Sequence, residues 1–558
     1  MNARRSWITA IILFVALSVV GLGVRPLVVP DEPRYGVIPA EMIETGNWLA
    51  LRMAGFVYYE KPPLGYWFTA TSISAFGHNA FAIRLPSAIA TLVAALTVAW
   101  LAVRITGRRD DGPLAFMVQT TTLAPLVIGS VALLDPPFTA LVSLSMGALY
   151  CGCTTLGRVR AGWLALAGFA AGFAFLTKGL LAFAIPGISV IAFLVWERRW
   201  KDVFVMPWIP LGAAAITIAP FAWMIHRAEP GFWNYFIVVE HFRRIAHPDS
   251  NQHPEPWWLF FAVFPIGAAV WTLAWPNAWK GLRDASEWRT GIRFMISWIA
   301  GPLVLLSFSS GKLPTYVLPL FPPVAILVAL GLHRGHASGR ITIDATAIFA
   351  RWLLRVCAVA AFVVALVGSR QLGMPPLWES GESLRFAWVG GALFAWAQID
   401  AWSWKAVDTR TWLVRTTLAP VPILLTIPFF FPSAMFTASK HPWPLFDRHA
   451  EQLRGSELLV TGAGPALALS WATGRYDIVI AGVASEFDNE LDIESERARR
   501  IKWDEVAARI IQVRAASAPR SVSVLCPTSE AERILQTTGV PVVDVRETDG
   551  NLTMLYWR

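Results

Sequence analysis

Leu92-Val93-Ala94-Ala95-Leu96-Thr97-Val98-Ala99-Trp100-Leu101-Ala102-Val103 is an uncharged, almost wholly apolar run, and Arg104, Arg108 and Arg109 follow it closely. A bilayer excludes charge from its centre, so such a run reads as a membrane span. Basic residues collect on the cytoplasmic side, so its arginine-rich end faces inward. Working outward, similar runs centre near Phe14, Leu123, Ser143, Gly168, Pro186, Ala214, Val263, Pro302, Ala325, Val359, Gly391 and Ile423. That makes about thirteen spans at the ~20 residues each requires. Alternate loops are basic: Arg4 and Arg5, then Arg158 and Arg160, Arg198 to Lys201, Lys280 to Arg289, Arg334 and Arg340, and Lys405 with Arg410. The pattern predicts a cytoplasmic N-terminus and an external C-terminal tail. The first run has the basic start of a signal peptide but a long apolar stretch, so it is expected to persist as an anchor.

Composition agrees. Hydrophobic residues make up 55% of the 558 residues and charged ones 15%, far fewer than the roughly 25% of soluble domains. The 28 tryptophans suit two membrane–water belts. The net charge of +9 sits in short loops between spans, which makes it a topology signal and argues against nucleic acid as a partner. Cys151, Cys153, Cys357 and Cys526 have no spacing that suggests disulfides or zinc. The expected fold is therefore an all-α polytopic membrane protein over residues 1–431, with external loops at 22–84 and 226–256. A small α/β domain is expected at 432–558. In that tail, strand-like runs (Glu457–Thr461, Asp477–Ala481, Val522–Cys526, Val540–Val545) alternate with helix-like ones (Trp503–Ala516, Ser529–Thr538). Gly462-Ala463-Gly464 imitates a dinucleotide loop, but Leu467 replaces its third glycine.

The chemistry-bearing residues map to the external face. The first loop holds Asp31-Glu32-Pro33-Arg34-Tyr35, then Tyr58-Tyr59-Glu60-Lys61-Pro62-Pro63 with Tyr66-Trp67. Lys61 is a point charge suited to phosphate. Solvated surface charge is the bland alternative for the whole loop. Asp135 precedes Pro136 and Pro137, a pattern that also starts helices. Lys178 is a lone cation in an apolar stretch, where snorkelling is the simpler explanation. The second loop reads Glu240-His241-Phe242-Arg243-Arg244-Ile245-Ala246-His247, and guanidinium forks bind phosphate oxygens bidentately. Glu60 with His241 is a candidate divalent-metal pair; no other cofactor is implied. Gly311-Lys312-Leu313-Pro314-Thr315-Tyr316 sets a cation and a phenol at the mouth of a span. No nucleotide sugar reaches that face, so energy must arrive on an activated lipid such as a polyprenyl-phosphate sugar.

These blocks, in order over about the first 320 residues, resemble those of the aminoarabinose lipid A transferases. That family belongs to the C-type glycosyltransferases and is related to the dolichyl-phosphate-mannose protein mannosyltransferases. The resemblance implies inverting transfer of 4-amino-4-deoxy-L-arabinose from undecaprenyl phosphate to a lipid A phosphate on the periplasmic face of the bacterial inner membrane, with resistance to polymyxin-like cationic peptides. It implies Asp31, Asp135 and Glu60 as catalytic residues. Lys61, Arg243, Arg244, Tyr316 and Lys178 would hold the donor phosphate. Glu32, Arg34, Tyr35, Tyr58, Tyr59 and Lys312 would bind substrate. The implied partners are the donor, lipid A and membrane lipid, with the enzyme a monomer. Rival readings are a related transferase moving another sugar to lipid A or protein, a carrier of lipid-linked substrate, and an assembly scaffold. No inverted repeat supports the carrier.

Overall fold

The computed structural model describes residues 3–243, 255–283, 285–309, 311–339, 341, 345–435, 440–483, 485–487, 493–515 and 520–558. Among these, seven helices are long and apolar enough to cross a membrane, or up to nine if two bent pairs each count as one span. The pairs are Asp111–Thr121 with Leu123–Gly129, bent by 66°, and Leu259–Gly267 with Thr272–Arg283, bent by 88°. The difference from the expected figure of about thirteen has local causes. Ala3–Ser18 and Leu181–Trp196 are helices of only 16 residues each. Glu382–Ser403 carries Glu382, Arg385 and Asp400. The run near Ile423 forms only the short helix Val421–Leu424.

Small residues let the helices approach closely. A Cβ on Gly168 would meet the Pro210 carbonyl oxygen at 2.1 Å, and one on Gly281 would meet the Gly331 oxygen at 2.0 Å. Without a hydrophobic drive between helices in lipid, such backbone-to-backbone packing is a main source of association.

Above one end of the helices lies the first long loop. It forms a helix, Asp31–Thr45, and a two-stranded antiparallel hairpin, β1 (Arg52–Met53) and β2 (Phe56–Val57). The hairpin turns at Ala54 and Gly55, with φ of 53° and 81°, as tight hairpin turns require. Gly55 has a second reason to be glycine: a Cβ there would meet the Tyr476 oxygen at 2.4 Å.

Tyr476 belongs to the C-terminal α/β unit. Its six-stranded sheet runs β5-β4-β3-β6-β8-β7. The strands are β3 (Leu458–Gly462), β4 (Val479–Ala481), β5 (Arg500–Ile501), β6 (Val522–Pro527), β7 (Val545–Asp549) and β8 (Leu552–Trp557). β5, β4, β3 and β6 are parallel; β8 pairs antiparallel with β6 and β7. The expected strand Val540–Val545 is displaced: the strand starts at Val545 and hairpins into β8. β8 shows no polar–apolar alternation because Leu552–Leu555 are all buried.

The C-terminal unit and first loop share one apolar core, including Val37, Ile38, Phe56, Trp471 and Ile480. Polar contacts reinforce it. The Trp443 indole donates to Leu27 O at 2.8 Å, the Val57 amide donates to Glu496 at 2.6 Å, and Arg499 donates to Ala54 O at 2.6 Å. The first loop is thus held from both sides, by helices below and by the sheet unit above.

Candidate active site

The site is assembled around two aspartates, each the first residue of a helix. Asp31 opens Asp31–Thr45 and Asp135 opens Asp135–Thr154. The prolines nearby, Pro33 and Pro136-Pro137, cost little there because first-turn amides have no helical partner.

Asp31 is exposed, and its neighbour Glu32 is fully buried. Arg84 grips Glu32 through Nε–Oε1 at 2.7 Å and Nη2–Oε2 at 2.8 Å, and Arg25 adds a contact at 2.7 Å. The Val28 and Ala132 amides donate to it at 2.9 and 3.0 Å. Burial favours the neutral acid, but Arg84 and Arg25 outweigh it and hold the carboxyl at about 2. Glu32 was expected to bind substrate; its oxygens are instead saturated inside the protein. It fixes the loop to the segment leading into Asp135, since Ala132 lies three residues before that aspartate.

Arg34 and Tyr35 extend from the same turn. Arg34 lies in the field of Tyr58, Glu60, Tyr35 and Asp31, and it forms an ion pair with Glu486 of the C-terminal unit. Tyr35 stacks on Tyr66 at 5.9 Å, and the Tyr66 hydroxyl donates to Tyr58 at 3.1 Å. Burial and the adjacent Tyr66 push the Tyr35 phenol well above its usual range, so it remains a hydrogen-bond donor. The Ala132 amide on Glu32 brings the Asp31 turn next to the segment that leads into Asp135.

Asp135 accepts from Lys178 Nζ at 2.6 Å, and that ammonium sits 4.7 Å from the Tyr316 ring centroid. Three sequence-distant candidates, Asp135, Lys178 and Tyr316, therefore meet. Lys61 pairs with Glu240, and the Tyr59 hydroxyl donates to Glu229, which also receives Arg52 at 2.9 Å. Sequence reasoning does not single out Glu229, Glu240 or Glu486. Glu240 stands in the quoted second loop, but nothing in its local pattern distinguishes a counter-ion for Lys61 from a solvated acid.

Lys312 was expected to bind substrate; its ammonium is engaged by backbone oxygens. It is 4% exposed, and its ammonium donates to the backbone oxygens of Ser309 and of Glu255, the latter at 2.8 Å. A cation capped by carbonyls pins the turn before Tyr316. Arg244 and the side chains of His241 and Arg243 lie outside the described residues; the Arg243 backbone ends the π-helical segment Asn234–Arg243. Among the described residues, no group of three or more His, Cys, Asp or Glu could hold a metal ion.

A protein from Erwinia tasmaniensis named undecaprenyl phosphate-alpha-4-amino-4-deoxy-L-arabinose arabinosyl transferase is 32% identical over 556 residues, covering 98% of this chain and 97% of that protein. The chain belongs to this arabinosyl transferase family. An Enterobacter arabinosyl transferase of the same name is 30% identical, covering 88% of this chain and 87% of its own. Residues 5–236 match the dolichyl-phosphate-mannose-protein mannosyltransferase family, and residues 437–556 match the C-terminal domain of the arabinosyl transferase ArnT. The arabinosyl transferase fold is shared with crystal structures of ArnT from Cupriavidus metallidurans. The apo form has a TM-score of 0.78 at 19% identity, covering 100% of this chain and 98% of that one. The form bound to undecaprenyl phosphate has a TM-score of 0.75 at 20% identity, covering 98% and 97%. The chain is a membrane glycosyltransferase of this family.

Proposed function

We propose that the enzyme transfers 4-amino-4-deoxy-L-arabinose from undecaprenyl phosphate to a phosphate of lipid A. The reaction takes place at the periplasmic face of the inner membrane. The carrying observation is the meeting of Asp135, Lys178 and Tyr316, with the Asp31 turn tied through Glu32 to the segment before Asp135. It sets carboxylates and cations together at one end of the spans, as a reaction between two phosphate-bearing lipids requires.

In the transfer, an acceptor phosphate oxygen attacks the anomeric carbon from the face opposite the donor phosphate. The bond from that carbon to the donor oxygen breaks, and undecaprenyl phosphate leaves with the electron pair. Lys61, Lys178, Tyr316 and the second-loop arginines stabilise the charge that grows on the leaving phosphate, an effect strongest when donors are pre-positioned in a site that excludes water. Asp31 and Asp135 position the acceptor and the amino sugar, Tyr35 donates a hydrogen bond, and Glu60 joins them as the third catalytic carboxylate. An anionic phosphate acceptor needs no strong base. With a hydroxyl acceptor, Asp31 would take its proton. Masking the phosphate lowers negative surface charge and weakens cationic-peptide binding.

The topology that accompanies this reading has a cytoplasmic N-terminus and a periplasmic C-terminal unit following residue 431, with the shorter helices completing about thirteen crossings. The enzyme works as a monomer. The test is mass spectrometry of lipid A from a deletion strain rescued with wild type or Asp31→Asn. A pentosamine mass increment restored only by wild type supports the proposal. An unchanged lipid A profile in the deletion strain, under conditions of expression, defeats it.

A further inference from the structure

The helix Ala80–Thr106 marks the two ends of the bundle. Arg84, near its start, grips Glu32 beside the candidate site. Just past its other end, Asp110 receives Arg410 at 3.2 Å and Asp111 pairs with His333. Arg410 lies on the helix Thr409–Leu418, so that helix begins at the end of the bundle away from Asp31 and Asp135.

Beside this helix is a cavity of about 330 Å³. It is bordered by the break between Leu259–Gly267 and Thr272–Arg283, by Ala345–Val367 and by Glu382–Ser403. Three polar groups on its wall have no hydrogen-bond partner among the described residues: Arg351 Nη2, the Trp412 indole nitrogen and the Thr416 hydroxyl. All three can donate. Trp412 is 2% exposed, and buried donors are ordinarily satisfied.

Neighbouring contacts hold these groups in place. Arg351 Nε donates to Asp400 at 2.6 Å, which fixes the guanidinium while Nη2 makes no hydrogen bond among the described residues. The Arg351 guanidinium lies 5.7 Å from the Trp404 ring, and Trp404 lies 5.4 Å from Trp412. His336 stacks on Trp412 at 4.4 Å. Thr416 stands one turn beyond Trp412 on the same helix. The rest of the wall is largely apolar, including Val270, Leu273, Leu332 and Leu354. The helix Ala345–Val367 leaves Phe349 and Leu353 exposed, so an apolar chain leaving the cavity would meet an apolar surface.

We propose that this cavity binds the phosphodiester headgroup of a membrane phospholipid. Arg351 Nη2, the Trp412 indole N–H and the Thr416 hydroxyl donate to its phosphate oxygens, and the acyl chains run over Phe349 and Leu353. Pockets between helices at a basic membrane face are suited to lipid headgroups. Lys405, Arg410 and Arg415 on the adjoining segments supply that basic setting. A free phosphate ion would satisfy the same donors but would leave the apolar wall uncovered.

The test measures binding of phosphatidylglycerol to the purified full chain by native mass spectrometry, with diacylglycerol of the same chains as the control and inorganic phosphate as competitor. Thr416→Val removes one donor at constant volume, and Trp412→Phe removes another while keeping an aromatic ring. The expected result is a phosphatidylglycerol Kd raised about threefold by Thr416→Val and about tenfold by the double variant, with diacylglycerol unaffected. Millimolar inorganic phosphate should leave the lipid bound. Equal phosphatidylglycerol binding by wild type and Thr416→Val overturns the proposal, as does displacement by inorganic phosphate. The single valine variant carries the comparison if the double variant does not fold. Sugar transfer plays no part in this readout, so the result stands apart from the proposed reaction.

Discussion

Arg84 and Glu32 form a fully buried ion pair, with Nε–Oε1 at 2.7 Å, directly beside the exposed Asp31. Removing Arg84 leaves the buried Glu32 carboxylate with Arg25 as its one remaining cation among the described residues. Arg84→Leu should destabilise the protein by about 3–5 kcal/mol, measured as a lower midpoint in thermal or denaturant unfolding of the purified enzyme. The pair also sets an acid limit. Glu32 is held at about 2 against an ordinary 4.5, so its contribution is complete above 4.5 and is lost as the pH falls toward 2.

Lys61 is engaged by Glu240 before any donor arrives. A donor phosphate must therefore compete with that carboxylate. Glu240→Gln should tighten undecaprenyl phosphate binding several-fold, and Lys61→Met should weaken it by about tenfold or more, since hydrogen bonds to charged groups contribute about 1.5–3 kcal/mol. Titration of both variants checks the signs; weaker binding in Glu240→Gln would refute the competition.

Asp135 and Lys178 act as one unit across 2.6 Å. Asp135→Asn and Lys178→Met should each lower kcat/KM strongly, and the double variant should lose less than the sum. A double-mutant cycle should return a coupling of about 0.5–3 kcal/mol. Additive losses would show that the contact has no role in turnover.

Glu41, 5% exposed, accepts from the Gly55 amide at the hairpin tip, with both carboxylate oxygens at 3.1 Å. Burial pushes its carboxyl up to about 7, against the pull of Gly55, Arg499 and Arg52. For an acid raised above its ordinary 4.5, the stabilisation is complete below 4.5 and lost as the pH rises through 7. Limited proteolysis between the first loop and the C-terminal unit should therefore be faster at pH 8 than at pH 5.5. Glu41→Gln should flatten the difference.

Part of the site is legible in the sequence. Asp135 and Lys178 stand out because a bilayer tolerates few charges, so isolated ones in apolar runs carry information. The turn Asp31–Tyr35 is recognisable as a motif. The counter-ions Glu229, Glu240 and Glu486 are not, because their pairing is created by chain segments far apart in sequence. The place of Lys312 is hidden for a related reason: its partners are backbone oxygens, which leave no trace in side-chain pattern. Glu32 looks equivalent to Asp31 on paper, and only the arrival of Arg84 from 52 positions away separates a buried anchor from an exposed acid. In the tail, β8 is too uniformly buried to show an alternation.

The Arg34–Glu486 pair ties a residue of the candidate catalytic turn to one in the sheet unit, and the Val57–Glu496 and Ala54–Arg499 contacts lie along the same seam. Chimaeras that exchange the C-terminal unit between relatives should work only when the matching first loop travels with it, because the two halves of that seam are a co-adapted pair rather than interchangeable parts.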